Sequence, residues 1–249
     1  MKIIYIQIVA LVVFLSSVNA DEFCRNYVDQ YTRFRSECSV SSIVLNSCCD
    51  LQPFQLSVAP SGVYRIRKTP FDTADAYCDM NTTDGGWMVI QRNRINSTTD
   101  FNRNYTEYEQ GFGNLLGDFW YGLEALHCLT QRVAWEMRID YQLATGTTSF
   151  LHYNTFSVNT AATGYQLIAT AFTGIGFNFL STNTGRRFST VDNDNSNCAR
   201  TRSSGWWYSN CGVVALNSQL PRVQQVASFV EMKIRPRNCN VQIFQEASP

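Results

Sequence analysis

The chain has little of what catalysis usually requires. Only two histidines, His127 and His152, occur in 249 residues. His127 follows Leu126 in a helical pattern, and His152 lies between Leu151 and Tyr153 in a strand pattern, so both read as packed residues. Cys128 adjoins His127, but neighbours on a helix point ~100° apart and form no nucleophile–base dyad. Zinc-type His/Cys spacing, a P-loop, G-x-G-x-x-G and G-x-S-x-G are all missing. No enzyme is therefore expected. Charge of one sign is lacking too: the formal net charge is zero, with no basic run or stripe. This argues against nucleic acid or an anionic membrane as the main partner. There is no internal repeat, collagen triplet or sustained heptad. Beyond the N-terminal segment no apolar run approaches the ~20 residues of a membrane-spanning helix.

The N-terminal segment itself reads as a secretory signal peptide over residues 1–20. Lys2 provides the positive start, Ile3 to Phe14 the apolar stretch, and Val18-Asn19-Ala20 the small-residue cleavage pattern. Removing it leaves 19 basic against 20 acidic residues. A secreted, extracellular product beginning near Asp21 is expected, without membrane insertion. Three Asn-x-Ser/Thr sequons, at Asn81, Asn96 and Asn104, fit that route as glycosylation candidates on surface loops. Nine cysteines follow, at 24, 38, 48, 49, 78, 128, 198, 211 and 239. In an oxidising compartment disulfides are the default, and an odd count leaves at least one thiol free or shared between chains.

Tyr27, Tyr31 and Phe34 recur at helical spacing, predicting a short amphipathic helix over 24–38. A continuous helix there separates Cys24 from Cys38 by ~20 Å, beyond the ~7 Å Cα limit for a bridge. These two must look to Cys48, Cys239 or another chain, so a disulfide-linked dimer through the N-terminal cysteines is one expectation. From about Cys49 the pattern changes to short strands and turns: a strand at 62–66, a short helix at 71–78, and Asp84-Gly-Gly-Trp87 feeding a strand at 87–92. Asp118 is placed to cap a helix running to His127. Trp135, Met137, Ile139 and Tyr141 alternate as in a strand. Further strands are expected at 149–158, 165–170 and 228–235. Residues 174–222 are rich in Gly, Asn, Ser, Asp and Thr, which suggests a functional loop region held by its own disulfide.

Anchors along the chain, in order, carry a resemblance. They include Ser61-Gly-Val-Tyr64, Tyr77-Cys-Asp-Met80, Asp84-Gly-Gly-Trp87, Tyr108-Glu-Gln-Gly-Phe-Gly113, Asp118-Phe-Trp-Tyr-Gly-Leu-Glu124 and Trp135-Glu-Met-Arg-Ile-Asp-Tyr141. Phe188-Ser-Thr190, Asp192-Asn-Asp194, Asn197-Cys-Ala199, Gly205-Trp-Trp207, Asn210-Cys211 and Met232-Lys-Ile-Arg-Pro236 follow. Over residues 49–236 this resembles the fibrinogen C-terminal (fibrinogen-related, ficolin/tachylectin-like) domain family. The resemblance implies an α+β fold with a twisted antiparallel sheet, short helices and a loop-rich C-terminal subdomain. Residues 21–48 would then be a cysteine-containing extension and 237–249 a tail. It also implies disulfides Cys49–Cys78 and Cys198–Cys211, a cis Asn210–Cys211 bond, and extracellular binding of a glycan or protein ligand. Cys128, beside Leu126 and Leu129, reads as a buried free thiol.

Two family sites map onto the loop region. Calcium would fall on Asp192, Asp194 and Ser196, and a string of side-chain oxygens suits that hard cation. One aspartate of the family motif is Ser196 here, and only Ser196 and Asn197 precede Cys198, so the carbonyl-bearing stretch looks deleted and calcium is left open. The lectin-like branch binds acetyl groups around the second cysteine, which maps to Arg202, Trp207, Tyr208, Asn210, Cys211 and Gly212. Here the family's tyrosine is Arg202 and its histidine is Gly212, so the acetyl pocket is expected to be absent or rebuilt, and Trp206 and Trp207 to serve the core.

Overall fold

The computed structural model describes residues 44–52, 59–69, 72–174, 177–194, 196–212 and 214–239. The chain divides into two compact units, residues 1–45 and 46–249, and the fold below belongs to the second. The signal peptide, the helix expected over 24–38, Cys24 and Cys38 lie outside the described residues.

Seven strands form the main antiparallel path. In chain order these are β1 (Gly62–Thr69), β2 (Asp72–Asp79), β3 (Trp87–Arg94), β6 (Trp135–Leu143), β7 (Thr148–Val158), β8 (Leu167–Phe172) and β11 (Gln225–Pro236). Their spatial order is β1-β2-β3-β11-β6-β7-β8, so the last strand inserts at the centre. Two-residue strands β4 (Phe112–Gly113) and β5 (Phe119–Trp120) pair beside β3, and β9 (Val214–Ala215) and β10 (Arg222–Val223) beside β11. Among the described residues there are also three short α-helices, α1 (Tyr105–Gln110), α2 (Leu123–Thr130) and α3 (Cys198–Arg202), and 3₁₀ turns at Cys48–Leu51 and Ala161–Thr163. The result is the expected α+β class, mostly antiparallel sheet.

Two local expectations change. Of residues 71–78, expected as a helix, those described (72–78) belong to β2, which pairs with β1 and, at its end, with β3. The ladder to β1, continuous from Thr73 to Cys78, overrides the helical preference of Ala74 and Ala76. Asp118 caps no helix. Phe119 and Trp120 first pair with Arg92 and Gln91 of β3, and α2 begins at Leu123 after Gly122. Gly122 has φ 105°, and a Cβ there would lie 2.9 Å from Gln110 and Glu109 backbone atoms.

The sheet's central strand shows how period-two alternation makes two different faces. Val230, Met232 and Ile234 are fully buried in the apolar core, while Glu231, Lys233 and Arg235 face the other way yet are also buried. Their charges are paired. Lys233 Nζ lies 2.6 Å from Asp79, 2.8 Å from Glu231 and 2.9 Å from Asp140. Arg92 binds Glu231 at 2.6 Å, and Arg138 binds Asp140 at 2.7 Å. Glu136 takes Arg235 at 2.7 Å and His152 at 2.8 Å. Burial alone would lower the Lys233 ammonium, but the surrounding carboxylates outweigh it and push it up to about 12. For Asp79 burial pulls upward, and the Lys233 and Thr82 hydrogen bonds with the Lys233 charge prevail, lowering it to about 2. His152 is thus a member of this lattice, also touching Thr173, and His127 Nδ1 lies 2.9 Å from the Val158 carbonyl oxygen.

The disulfides correct one pairing. Cys48 joins Cys78 and Cys49 joins Cys239, with Cα separations of 5.5 and 5.4 Å. The expected Cys49–Cys78 bond is thus displaced by one residue. Cys48 and Cys49 begin a 3₁₀ turn (Cys48–Leu51), whose consecutive side chains diverge by ~120°. Cys48 faces β2, and Cys49 faces the segment after β11. Cys198 joins Cys211. Cys128 is unbonded, and it is half-buried rather than buried.

Candidate functional site

The loop-rich region is organised by an aromatic cluster beneath it. Tyr108, Trp120, Phe188, Trp206 and Trp207 are buried, with ring centroids 5.0–5.8 Å apart. The polar atoms of Tyr108, Trp120 and Trp207 bind backbone, whereas Trp206 Nε1 is buried without a partner among the described residues. The Tyr108 hydroxyl donates to the Phe101 carbonyl and accepts from the Gly205 N–H, Trp120 Nε1 donates to Tyr108 O, and Trp207 Nε1 donates to Tyr165 O. Gly205 is required here, since a Cβ would lie 2.6 Å from the Tyr108 ring and 2.7 Å from the Phe188 ring. Trp207 is therefore a core residue and cannot present itself to a ligand. Tyr208 is buried as well, its hydroxyl bonded to Ser204.

Around Cys211 the turn is closed. Arg202 reaches from the end of α3 and donates to the Cys211 carbonyl at 3.1 Å and the Gly212 carbonyl at 3.4 Å. Asn210 is exposed, Cys211 and Gly212 half-buried. No peptide bond is cis among the described residues. Asn210 and Cys211 turn the chain instead with φ of 50° and 52°. Of the six residues expected around an acetyl pocket, two are buried in packing and Arg202 is engaged with the backbone that would have formed its rim.

Calcium requires six to eight oxygen ligands, and the acidic loop directs its carboxylates to other partners. Asp192 turns toward α1, accepting from the Tyr105 N–H at 3.0 Å and the Thr190 hydroxyl at 2.6 Å. Asp194 turns toward α3, accepting from Ser196 N and Oγ at 2.9 Å and from Arg200 N at 3.2 Å. Burial would raise the Asp194 carboxyl, but these Ser196 and backbone hydrogen bonds hold it lower. Arg200 Nε donates to the Val191 carbonyl at 3.1 Å, so a guanidinium lies against an oxygen of the same loop. Among the described residues no group of three His, Cys, Asp or Glu is arranged to hold a metal. Asp194 and Ser196 bond to each other, while Asp192 is engaged by Tyr105 and Thr190, so these groups do not make the shell of six to eight oxygens that calcium needs. The sequon residues Asn81, Asn96 and Asn104 are all exposed, and Asn104 also caps α1 through its bond from Glu107 N.

An open cleft of about 220 Å³ lies nearby, lined by Tyr105, Ala161, Gly164, Arg187, Phe188, Ser189 and Asn193. A 3₁₀ turn at Ala161–Thr163 ends in Gly164, left-handed at φ 71°. The Phe188 N–H bonds the Gly164 carbonyl at 2.9 Å. Arg187 crosses Gly164 so closely that a Cβ there would lie 2.5 Å from Nε. Ser189 is fixed by reciprocal 3.0 Å backbone bonds to Trp206, and Asn193 by bonds to Thr190. Burial raises the Tyr105 hydroxyl, Glu109 adds to this and Arg187 opposes it, so the phenol stays protonated at neutral pH. None of these lining residues was expected as a site residue from the sequence, although Phe188, Ser189 and Asn193 lie within its family anchors. The available signal was the alternation in Asp192-Asn193-Asp194, whose aspartates bond inward to α1 and α3 while Asn193 opens to the cleft.

A disulfide-anchored antiparallel sheet that carries a loop region with an open polar cleft is the build of a binding domain. The chain belongs to the fibrinogen family: the profile for the fibrinogen beta and gamma chains, C-terminal globular domain, matches residues 47–237. It is 35% identical over 216 residues to fibrinogen-like protein A of Apostichopus parvimensis, covering 78% of this chain and 74% of that protein. It is 37% identical over 198 residues to human tenascin-R, covering 72% of this chain but 14% of that much longer protein. Among solved structures it resembles the fibrinogen-like globe domain of human ANGPTL6, with TM-score 0.71 and 28% identity over 80% of this chain and 99% of that one.

Proposed function

We propose that this chain is a secreted protein that recognises an extracellular ligand through its loop region, in innate recognition or cell–matrix adhesion, independently of calcium and of an acetyl pocket. One observation carries the reading: the Cys211 turn is closed by Arg202, while an open polar cleft lies instead between α1, Gly164 and Asn193. The signal-peptide pattern, the sequons and three disulfides support an extracellular setting. No helix among the described residues is long and apolar enough to cross a membrane. No catalytic role is proposed, since His127 and His152 are held by backbone, Glu136 and Thr173.

The test is to pass the secreted protein over immobilised N-acetylated sugars, and separately over cells and extracellular matrix, with calcium and then with EDTA. The expected result is no retention on the sugars and binding to cells or matrix that survives EDTA. Retention eluted by free N-acetylglucosamine would overturn the closed-pocket reading, and folded protein that binds neither surface would overturn recognition itself. The same closure also favours a second reading, a structural or signalling ligand for a protein receptor without glycan binding. Cell binding abolished by surface proteolysis and untouched by deglycosylation selects it. A disulfide-linked dimer through Cys24 or Cys38 belongs to the proposal, and a monomer on non-reducing gels removes it.

A further inference from the structure

Within one loop region, polar side chains divide sharply into engaged and unengaged. Asp192, Asp194, Thr190, Arg200 and Arg202 all bond to neighbouring groups. By contrast the Tyr105 hydroxyl, the Arg187 guanidinium, the Ser189 hydroxyl and the Asn193 amide have no hydrogen bond or ion pair among the described residues. These four residues all line the 220 Å³ cleft. Together they offer many more donors than acceptors, and one full positive charge. Two carboxylates stand close by. Asp192 accepts from Tyr105 N and Thr190, Glu109 acts electrostatically on Tyr105 and Tyr165, and neither forms an ion pair with Arg187 among the described residues.

A donor-rich lining around one guanidinium is complementary to a carboxylate, which arginine grips through two parallel hydrogen bonds. The remaining donors and the amide oxygen of Asn193 suit hydroxyl groups, and the half-buried Tyr105 ring offers a face for a sugar's C–H side. At about 220 Å³ the cleft is smaller than the ~300–1,000 Å³ of drug-sized sites, so it takes one ring rather than an oligosaccharide. We infer that this cleft binds a carboxylate-bearing monosaccharide unit, a hexuronate, with Arg187 on the carboxylate and Ser189, Asn193 and Tyr105 on the hydroxyls. Gly164 is part of the device: any side chain there would displace Arg187 from its place over the turn. This inference rests on the recognition reading above and names its ligand class.

The test is titration of the secreted protein with sodium glucuronate and, separately, glucose, followed by saturation-transfer NMR and calorimetry. A ligand of this size should bind with Kd on the order of 1 mM, and glucose, which lacks the carboxylate, at least about tenfold more weakly. Arg187→Gln should bring glucuronate to the glucose level, Arg187→Lys should recover part of the loss, and Asn193→Ala should weaken both sugars. Arg187 and Asn193 are exposed, and an unchanged melting temperature confirms that each variant folds. Equal binding of the two sugars, glucuronate binding unaffected by Arg187→Gln, or no binding by folded protein overturns the inference. If glucuronate fails while cell or matrix binding persists, only this inference falls. If both fail, the recognition reading falls with it.

Discussion

Replacing Asp79 by asparagine should cost stability at neutral pH and almost nothing in acid. Asp79 and Lys233 meet at 2.6 Å with side chains only 12% and 3% exposed, so solvent screens the pair little. The carboxyl sits at about 2 rather than its usual 3.8. That separation corresponds to about 2 kcal/mol at about 1.4 kcal/mol per pH unit. A depressed carboxylate stabilises the fold above its unfolded pKa, and the contribution is lost as pH falls from about 4 toward 2, with about half gone near pH 3. Breaking a buried pair costs ~3–5 kcal/mol when it strands a charge. Lys233 keeps Asp140 and Glu231, so Asp79→Asn should cost about 2–3 kcal/mol. The assay is urea unfolding followed by tryptophan fluorescence, disulfides intact, for both proteins between pH 7 and pH 2. The stability gap should close steadily below pH 4. A gap that stays constant across this range would refute the ion-pair account and leave packing as the cause.

Three further outcomes are expected. Removing the Cys49–Cys239 bond, which closes a span of 190 residues, should destabilise by about 5 kcal/mol, against about 3 for the 13-residue span of Cys198–Cys211. Double serine variants compared in urea would show whether that order holds. Calcium at millimolar levels should shift Tm by less than about 1 °C relative to EDTA, whereas a site occupied at a hundred times its Kd would contribute about 2.7 kcal/mol and several degrees. Gly205→Ala places a methyl against Tyr108 and Phe188 and should cost about 3 kcal/mol, seen as a fall in Tm on the order of 10 °C. An unchanged Tm would mean that the aromatic cluster is loosely packed.

Where alternation was strong, the sequence placed strands well: residues 133–141, 149–158 and 228–235 correspond to β6, β7 and β11. Where local preference and tertiary pairing disagreed, pairing prevailed, as in β2. The buried charge lattice left no trace in the pattern of the central strand, because Glu231, Lys233 and Arg235 look like a solvated face. Only Asp79, Arg92, Glu136 and Asp140, arriving from other strands, make their burial tolerable.

The family, the antiparallel sheet and the loop-rich C-terminal half were legible in the sequence, because hydrophobic period, turn residues and ordered anchors are local signals carried in the chain. The sequence also showed that the acetyl and calcium motifs were altered at Arg202, Gly212 and Ser196. Tertiary structure alone decided the rest. It chose between Cys48 and Cys49 for Cys78, set Arg202 against the Cys211 turn, and drew Asp192 and Asp194 toward different helices. It also assembled Tyr105, Gly164, Arg187 and Asn193 into one cleft. Those outcomes depend on the directions in which side chains far apart in the sequence point once the backbone is fixed.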